Sequence, residues 1–288
     1  MCIRDSPEGI PLAVTKSLLP WRSNFSLHTY LHIHLHAGIS QRNNTENKKK
    51  AIFSKKKMQH LIDSLEGVIT KLKLPHKKSS WSEYYEEANQ RENYLASKKK
   101  IISNWLDSIN DIATAVDLGA NDGEFSLLLA EKNINTIATD FDPYCINNLY
   151  NSEKEKGNNK IHPLIIDLAN PSPAIGVKNE ERDSFMERCN VDLAMALAVI
   201  HHLVIGKNIP FQMMSDMFRQ ICRKYLIIEF VPKTDEKIQL MLSGKKDIYA
   251  TYTKEQFELA FKDYFTVTSI QTIGSSGRTL YLMTKNEK

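Results

Sequence analysis

The chain has 288 residues, of which 42% are hydrophobic and 25% are charged, and its formal net charge is +4. These values are ordinary for a soluble globular protein of one large or two modest domains. The mild charge alone gives no case for nucleic acid binding. The four cysteines are scattered without C-x-x-C spacing, which argues against a zinc site or a disulfide scaffold and favours a reducing compartment.

No stretch of the sequence predicts a membrane segment or a signal peptide. The longest apolar run, residues 191–205, is interrupted by a histidine pair and is too short to span a bilayer. The N-terminus lacks a basic segment followed by an apolar one. We therefore predict a cytoplasmic protein. Residues 1–6, MCIRDS, look like a translated sequencing adapter, so we also expect that an upstream region is missing.

A histidine-rich segment comes first in the chain. His28, His32 and His36 recur at helical spacing, whereas His32, His34 and His36 alternate as on a strand. Either spacing could present imidazoles to a metal. No Cys, Asp or Glu stands among them to complete a ligand set. We predict packing or interface histidines and no metal site.

Polar and helical segments follow. The lysine-rich residues 41–57 predict a linker or a solvated face, and a basic patch for an acidic partner is the alternative. Apolar residues between Met58 and Leu72 have helical spacing, and a second helix is expected over about 91–109. The aromatic residues within 81–85 fit a lid over a ligand or simple packing. We divide the chain into an upstream remnant with linker (1–50), a helical extension or lid (51–110) and a ligand-binding domain (111–288).

The central feature is a strand, glycine turn, helix and strand between Ala113 and Asp140. An apolar strand ends at Asp117, and the turn that follows contains Gly119 and Gly123. Glycines at these positions let the backbone approach a ligand, and an acid at the end of the second strand, Asp140, can accept hydrogen bonds from ribose hydroxyls. This pattern predicts a nucleotide-binding βαβ unit.

The charge of the turn indicates which nucleotide binds. Asp117, Asp122 and Glu124 lie in or beside it, and their carboxylates would repel the pyrophosphate of a dinucleotide. They suit a ligand with an ammonium and a sulfonium, which is S-adenosylmethionine (SAM). An NAD-dependent oxidoreductase is correspondingly disfavoured.

Later strand ends add candidate site residues. Asp167 follows the third strand and could accept a hydrogen bond from an adenine amino group, although Asp also caps turns. The fourth strand leads into His201 and His202, and Glu229 is near the tip of the fifth. Residues at the carboxyl ends of strands line the crevice of an open α/β sheet. We predict His201, His202 and then Glu229 as candidate general bases, with buried or capping histidines as the alternative.

The strand order and these motifs resemble the class I SAM-dependent methyltransferases. Longer phrases, including VDLGANDGEFS, DLANPSPAIG, IEFVPKTD and SGRTLYLM, resemble a narrower bacterial group, the nodulation NoeA-like methyltransferases. The resemblance implies an α/β, Rossmann-like fold with a mostly parallel seven-stranded sheet, a C-terminal antiparallel hairpin and helical N-terminal segments. It also implies methyl transfer from SAM to an unidentified acceptor. The predicted cofactor-binding residues are Asp117, Gly119, Asn121, Gly123, Asp140, Phe141, Asp167, Leu168 and Ala196.

Two further hypotheses concern the role of the chain and its partners. The acceptor could be a small molecule, a glycan or a protein. RNA is a weaker possibility, because lysine runs permit it but no aromatic and basic stacking surface is legible. The alternative from another class is a non-catalytic module that binds SAM or S-adenosylhomocysteine (SAH) and serves an upstream domain or partner.

Overall fold

A computed structural model describes residues 10–38, 54–72, 74, 94–244 and 246–287. It divides into two compact units. The first unit contains Met1–Pro75 and Ala174–Arg182, and the second contains His76–Pro173 and Asp183–Lys288. Most of the predicted linker, the aromatic residues within 81–85 and the adapter-like N-terminus lie outside the described residues. The three-part division of the chain therefore stays a prediction, although the helix preceding the sheet belongs to the second unit.

The first unit is helical. It contains helix α1 (Leu12–Leu18), a 3₁₀ turn (Trp21–Phe25), a short helical segment that continues as a π-helix (Tyr30–Leu35), and helix α2 (Lys55–Ile69). His34 is buried, and its Nε2 lies 2.7 Å from Ser23 Oγ. His32 Nε2 lies 3.0 Å from Ser64 Oγ. Among the described residues no group of three His, Cys, Asp or Glu side chains could hold a metal ion.

The second unit is a sheet with helices, and its elements follow in chain order. They are α3 (Tyr94–Ser108), β1 (Thr114–Leu118), α4 (Glu124–Glu131), β2 (Asn135–Asp140), α5 (Pro143–Glu155), β3 (Ile161–Ile165), α6 (Phe185–Arg188), β4 (Val191–Ala196), a π-helical turn (His202–Gly206), α7 (Phe211–Ile221), β5 (Cys222–Phe230), α8 (Glu236–Leu242), α9 (Lys254–Phe261), β6 (Phe265–Thr272) and β7 (Thr279–Lys285). No helix of the described part is long and apolar enough to cross a bilayer.

The seven strands form one sheet in the order β3-β2-β1-β4-β5-β7-β6. Strands β1 to β5 are parallel, whereas β7 pairs antiparallel with both β5 and β6. The order reverses between β1 and β4, so the carboxyl ends of these strands open a crevice where ligands bind in α/β sheets. The predicted class I methyltransferase fold, including the C-terminal antiparallel hairpin, is confirmed.

Burial explains why the central strands are so apolar. All six residues of β4 are buried, as expected for a parallel strand covered on both faces. Asp192 is the polar exception at the amino end of β4. Its Oδ2 accepts hydrogen bonds from the backbone N–H groups of Ala113 and Thr114, each at 3.0 Å, and its Oδ1 pairs with Arg223 at 2.9 Å. Asp192 therefore fixes β1 against β4 at the end of the sheet opposite the crevice.

Candidate functional site

The turn after β1 is bonded to the end of β2. The N–H groups of Gly119 and Ala120 donate to the Thr139 carbonyl at 2.8 and 2.9 Å. Gly119 has φ +76°, and a Cβ there would lie 2.4 Å from Val199 Cγ2. A side chain at this position would therefore be strained and would collide with the loop after β4. This glycine lets the turn approach both the loop and a ligand.

Gly123, which was predicted to bind the cofactor, lies at a contact between two helices. It precedes α4 with φ +86°, and a Cβ would lie 2.5 Å from Leu149 Cδ1 on α5. It does not line the cavity described below. This glycine allows close packing of two helices, which is a structural requirement.

Asp140 organises the turn through backbone hydrogen bonds. Its Oδ2 accepts from the Asn121 N–H and its Oδ1 from the Asp142 N–H, both at 2.9 Å. Burial raises the pKa of Asp140, and these two hydrogen bonds partly offset the effect. Asn121 lies in the left-handed region with φ +51°, which Asn tolerates better than most residues.

Asp117 lies at the carboxyl end of β1 and is almost fully buried. Ser126 Oγ on α4 donates to its Oδ2 at 2.7 Å. Burial raises the pKa of Asp117 to about 6, against the opposing effects of the Ser126 hydrogen bond and the nearby Lys98 charge. A cation placed beside this carboxylate would favour its charged form and so compensate its burial.

A cavity of about 360 Å³ lies at the carboxyl ends of the strands. This is within the usual size range of small-molecule sites. Eight predicted site residues line it, namely Asp117, Gly119, Asn121, Asp140, Phe141, Asp167, Leu168 and His202. Four predicted residues do not line it, namely Gly123, Ala196, His201 and Glu229. Ala196 is replaced in the cavity wall by the three residues that follow it, 197–199.

Asp167 caps a turn and also lines the cavity. Its Oδ1 accepts a hydrogen bond from the Ala169 N–H at 2.9 Å, which is a turn cap. The same residue lines the cavity beside Leu168. A carboxylate has two oxygens with several lone pairs, so the cap leaves acceptor capacity for a ligand.

The two histidines differ in their access to the cavity. Their rings lie 4.0 Å apart, but only His202 lines the cavity, whereas His201 is buried with its Nδ1 unpaired. Burial and the Arg278 charge lower the pKa of His202 to about 4, and burial also lowers the pKa of His201. Both imidazoles are therefore neutral at physiological pH.

Glu229 is engaged in a buried ion-pair cluster below the cavity. Its Oε2 pairs with Lys98 Nζ at 2.6 Å, and its Oε1 accepts a hydrogen bond from Tyr94 Oη at 2.7 Å. Arg278 approaches Oε1 at 3.5 Å and bonds Asp235 through its Nε at 2.8 Å. Burial opposes ionisation of Glu229, but the charges of Lys98 and Arg278 outweigh burial and hold its pKa below the ordinary value. A carboxylate held in this way is a poor proton acceptor for a ligand.

Of the three acids predicted in or beside the turn, only Asp117 lines the cavity. Asp122 and Glu124 do not, and Glu124 pairs with Lys99. Asp140 and Asp167 are the other acids in the cavity lining. These three carboxylates would repel a pyrophosphate and attract a cationic group.

Sequence reasoning missed Tyr94 and Lys98, which line the cavity from α3. Lys98 is the first of three consecutive lysines, a pattern that is typical of an exposed surface. One signal was available: Tyr94, Lys98 and Ile102 recur at i, i+4 and i+8 and share one helix face. All three are buried.

A curated protein is similar in sequence to this chain. The chain is 31% identical to nodulation protein NoeA of Rhizobium meliloti (strain 1021) in an alignment of 292 positions that covers 99% of the chain. The chain is similar to NoeA along almost its whole length. It spans 61% of the length of that relative. The predicted resemblance to the NoeA-like group is thereby confirmed, and no family model matches the chain.

Solved structures with a related arrangement include two methyltransferases. One is the N-methyltransferase NodS from Bradyrhizobium japonicum WM9, with TM-score 0.49 and 13% identity over 69% of this chain and 99% of that one. The other is a SAM-dependent methyltransferase from Aquifex aeolicus, with TM-score 0.49 and 15% identity over 72% of this chain and 99% of that one. At these values the similarity concerns general architecture only.

Proposed function

We propose that the chain is a SAM-dependent methyltransferase acting on an acceptor that is not yet identified. One observation carries the proposal: a single cavity collects Asp117, Asp140 and Asp167 from the carboxyl ends of three adjacent strands, beside the turn at Gly119. The homology to NoeA and the class I methyltransferase fold support it.

Each acid has a role that its position supports. Asp117 is buried beside the glycine turn, where an ammonium would compensate its charge. Asp140 at the tip of β2 would accept from ribose hydroxyls, and Asp167 at the tip of β3 from the adenine amino group. Phe141 and Leu168 follow these two acids in the chain and add apolar surface to the same cavity wall.

Methyl transfer from a sulfonium is an in-line displacement in which positive charge disperses. The chain mainly has to align the acceptor and exclude water, so positioning is expected to supply most of the rate enhancement. An acceptor that starts protonated also needs a base. His202 is the candidate, because it lines the cavity and is neutral, whereas Glu229 is occupied by Lys98 and Tyr94.

Calorimetry with SAM and SAH tests the cofactor assignment. We expect the wild-type chain to bind both and the Asp140→Ala variant to lose most of the affinity, since both the ribose contact and the hydrogen bond to the Asn121 N–H disappear. Absence of binding heat with the wild type would refute the proposal. Transfer of a labelled methyl group to a component of a cell lysate would then identify the acceptor class.

A second candidate is a SAM- or SAH-binding module without catalysis. It is favoured by the surroundings of His202 in the cavity wall, since burial and the Arg278 charge lower the pKa of His202 to about 4 and make it a weak proton acceptor. This candidate predicts ligand binding by calorimetry without any transfer of the labelled methyl group. Turnover above the level of an Asp140→Ala control would exclude it.

A further inference from the structure

Lys98 is a buried cation in the wall of the cavity. Its side chain is 4% exposed, and its Nζ lies 4.9 Å from the centre of the Phe125 ring at the start of α4. Ser126, the residue after Phe125, donates its hydroxyl to Asp117 Oδ2 at 2.7 Å, and Lys98, Phe125 and Asp117 all line the cavity. Lys98 and Asp117 therefore both face the cavity beside the start of α4.

Lys98 can donate further hydrogen bonds while it is paired with Glu229. An ammonium carries three N–H donors, and the ion pair with Glu229 Oε2 occupies one side of it. Glu229 itself is also approached by Arg278 and Tyr94. The carboxylate thus fixes the position of the Lys98 ammonium, while Lys98 still reaches the cavity surface.

We propose that Lys98 binds the carboxylate of the amino-acid end of SAM, while Asp117 binds its ammonium. This inference rests on the proposed function. An amino acid presents opposite charges a few ångströms apart, and Lys98 and Asp117 offer the opposite pair of charges beside the start of α4 in the same cavity. A charge-assisted hydrogen bond in a buried site is stronger than one in water.

Lys207 is the other lysine of the cavity, and it is a weaker candidate for this contact. It is exposed and follows the π-helical turn after β4. Water and salt screen an exposed ammonium. A buried ammonium held by Glu229 is preorganised, so less entropy is lost when it binds a carboxylate.

The test compares two ligands that differ only in the amino-acid end. SAH carries it, and 5′-methylthioadenosine lacks it but keeps the adenine, ribose and thioether sulfur. Calorimetry on the Lys98→Met variant should show SAH binding weakened by about 10- to 100-fold, as expected for loss of one hydrogen bond between charged groups. Binding of 5′-methylthioadenosine should be unchanged.

A double variant separates the ligand contact from the ion pair. Lys98→Met alone leaves Glu229 short of one cation, whereas Lys98→Met/Glu229→Gln removes both charges and keeps the side-chain sizes. We expect the same selective loss of SAH affinity in both variants. Equal losses for the two ligands, or no loss for SAH, would overturn the inference. A wild-type chain that binds neither ligand would instead refute the proposed function.

Discussion

Replacing Glu229 by glutamine tests whether the ion-pair cluster is structural. The variant keeps the shape of the side chain but removes the buried negative charge that faces Lys98 at 2.6 Å and Arg278 at 3.5 Å. Breaking a buried pair by removing one partner typically costs about 3–5 kcal/mol, because a charge is left uncompensated. Arg278 keeps Asp235 at 2.8 Å, so we expect the lower end, about 3 kcal/mol.

Thermal unfolding followed by circular dichroism measures this cost. For a unit of about 200 residues, a loss of about 3 kcal/mol lowers Tm by about 6–12 °C. Asp247→Asn is the matched control, since it removes the carboxylate of an exposed pair with Lys233 and should leave Tm close to wild type. If Glu229→Gln melts together with Asp247→Asn, the cluster does not stabilise the fold and our account of Glu229 is wrong.

Three further predictions concern pH, packing and catalysis. Asp117 must lose its proton to bind an ammonium, and its pKa is about 6. Calorimetry should therefore show SAH binding about tenfold weaker at pH 5 than at pH 7. The Asp117→Asn variant should lack this pH dependence. Gly123→Ala should lower the free energy of unfolding, measured by urea titration, by about 2–5 kcal/mol, because the new Cβ strains the backbone and collides with Leu149. Gly157→Ala is the control, since Gly157 has φ +66° but open space around it. It should show the cost of backbone strain alone, about 1–2 kcal/mol. His202→Gln should slow methyl transfer by about 10²- to 10⁴-fold with SAH affinity nearly unchanged. At saturating SAM, where titration of Asp117 no longer limits cofactor binding, the wild-type rate should lack an inflection between about pH 5.5 and 8, because the pKa of His202 is about 4. An inflection near pH 6.5 under these conditions that disappears in His202→Gln would contradict that environment.

Local sequence patterns predicted the first strand, turn, helix and strand and the ends of the next three strands. Strand β4 was legible because a parallel strand covered on both faces is apolar throughout. Helix α5 was legible from its N-terminal signals: Asp142 Oδ1 accepts the Tyr144 N–H at 2.8 Å, and Pro143 occupies the first turn. Strand β5 begins at Cys222, directly after the last residue of α7, Ile221, so no turn signal in the sequence marks this boundary.

The candidate site was predictable where function depends on the end of a strand. Asp117 and Asp140 lie at the carboxyl ends of β1 and β2, and Asp167 follows the carboxyl end of β3. The carboxyl ends of parallel strands meet at one edge of the sheet, where all three acids line the cavity. Side-chain direction was not predictable in the same way. His201 and His202 are adjacent in sequence, yet only His202 lines the cavity.

The sequence by itself therefore determined the fold class, the glycine turn and the three cavity acids, because each follows from periodicity or from a position at a strand end. Only the tertiary structure decided the roles of Glu229 and Lys98. These two residues are 131 positions apart in the chain, and their ion pair forms because α3 packs at the carboxyl end of β5. Burial then converts an apparently solvated lysine and a candidate base into a fixed pair, since in a low-dielectric interior each charge requires the other.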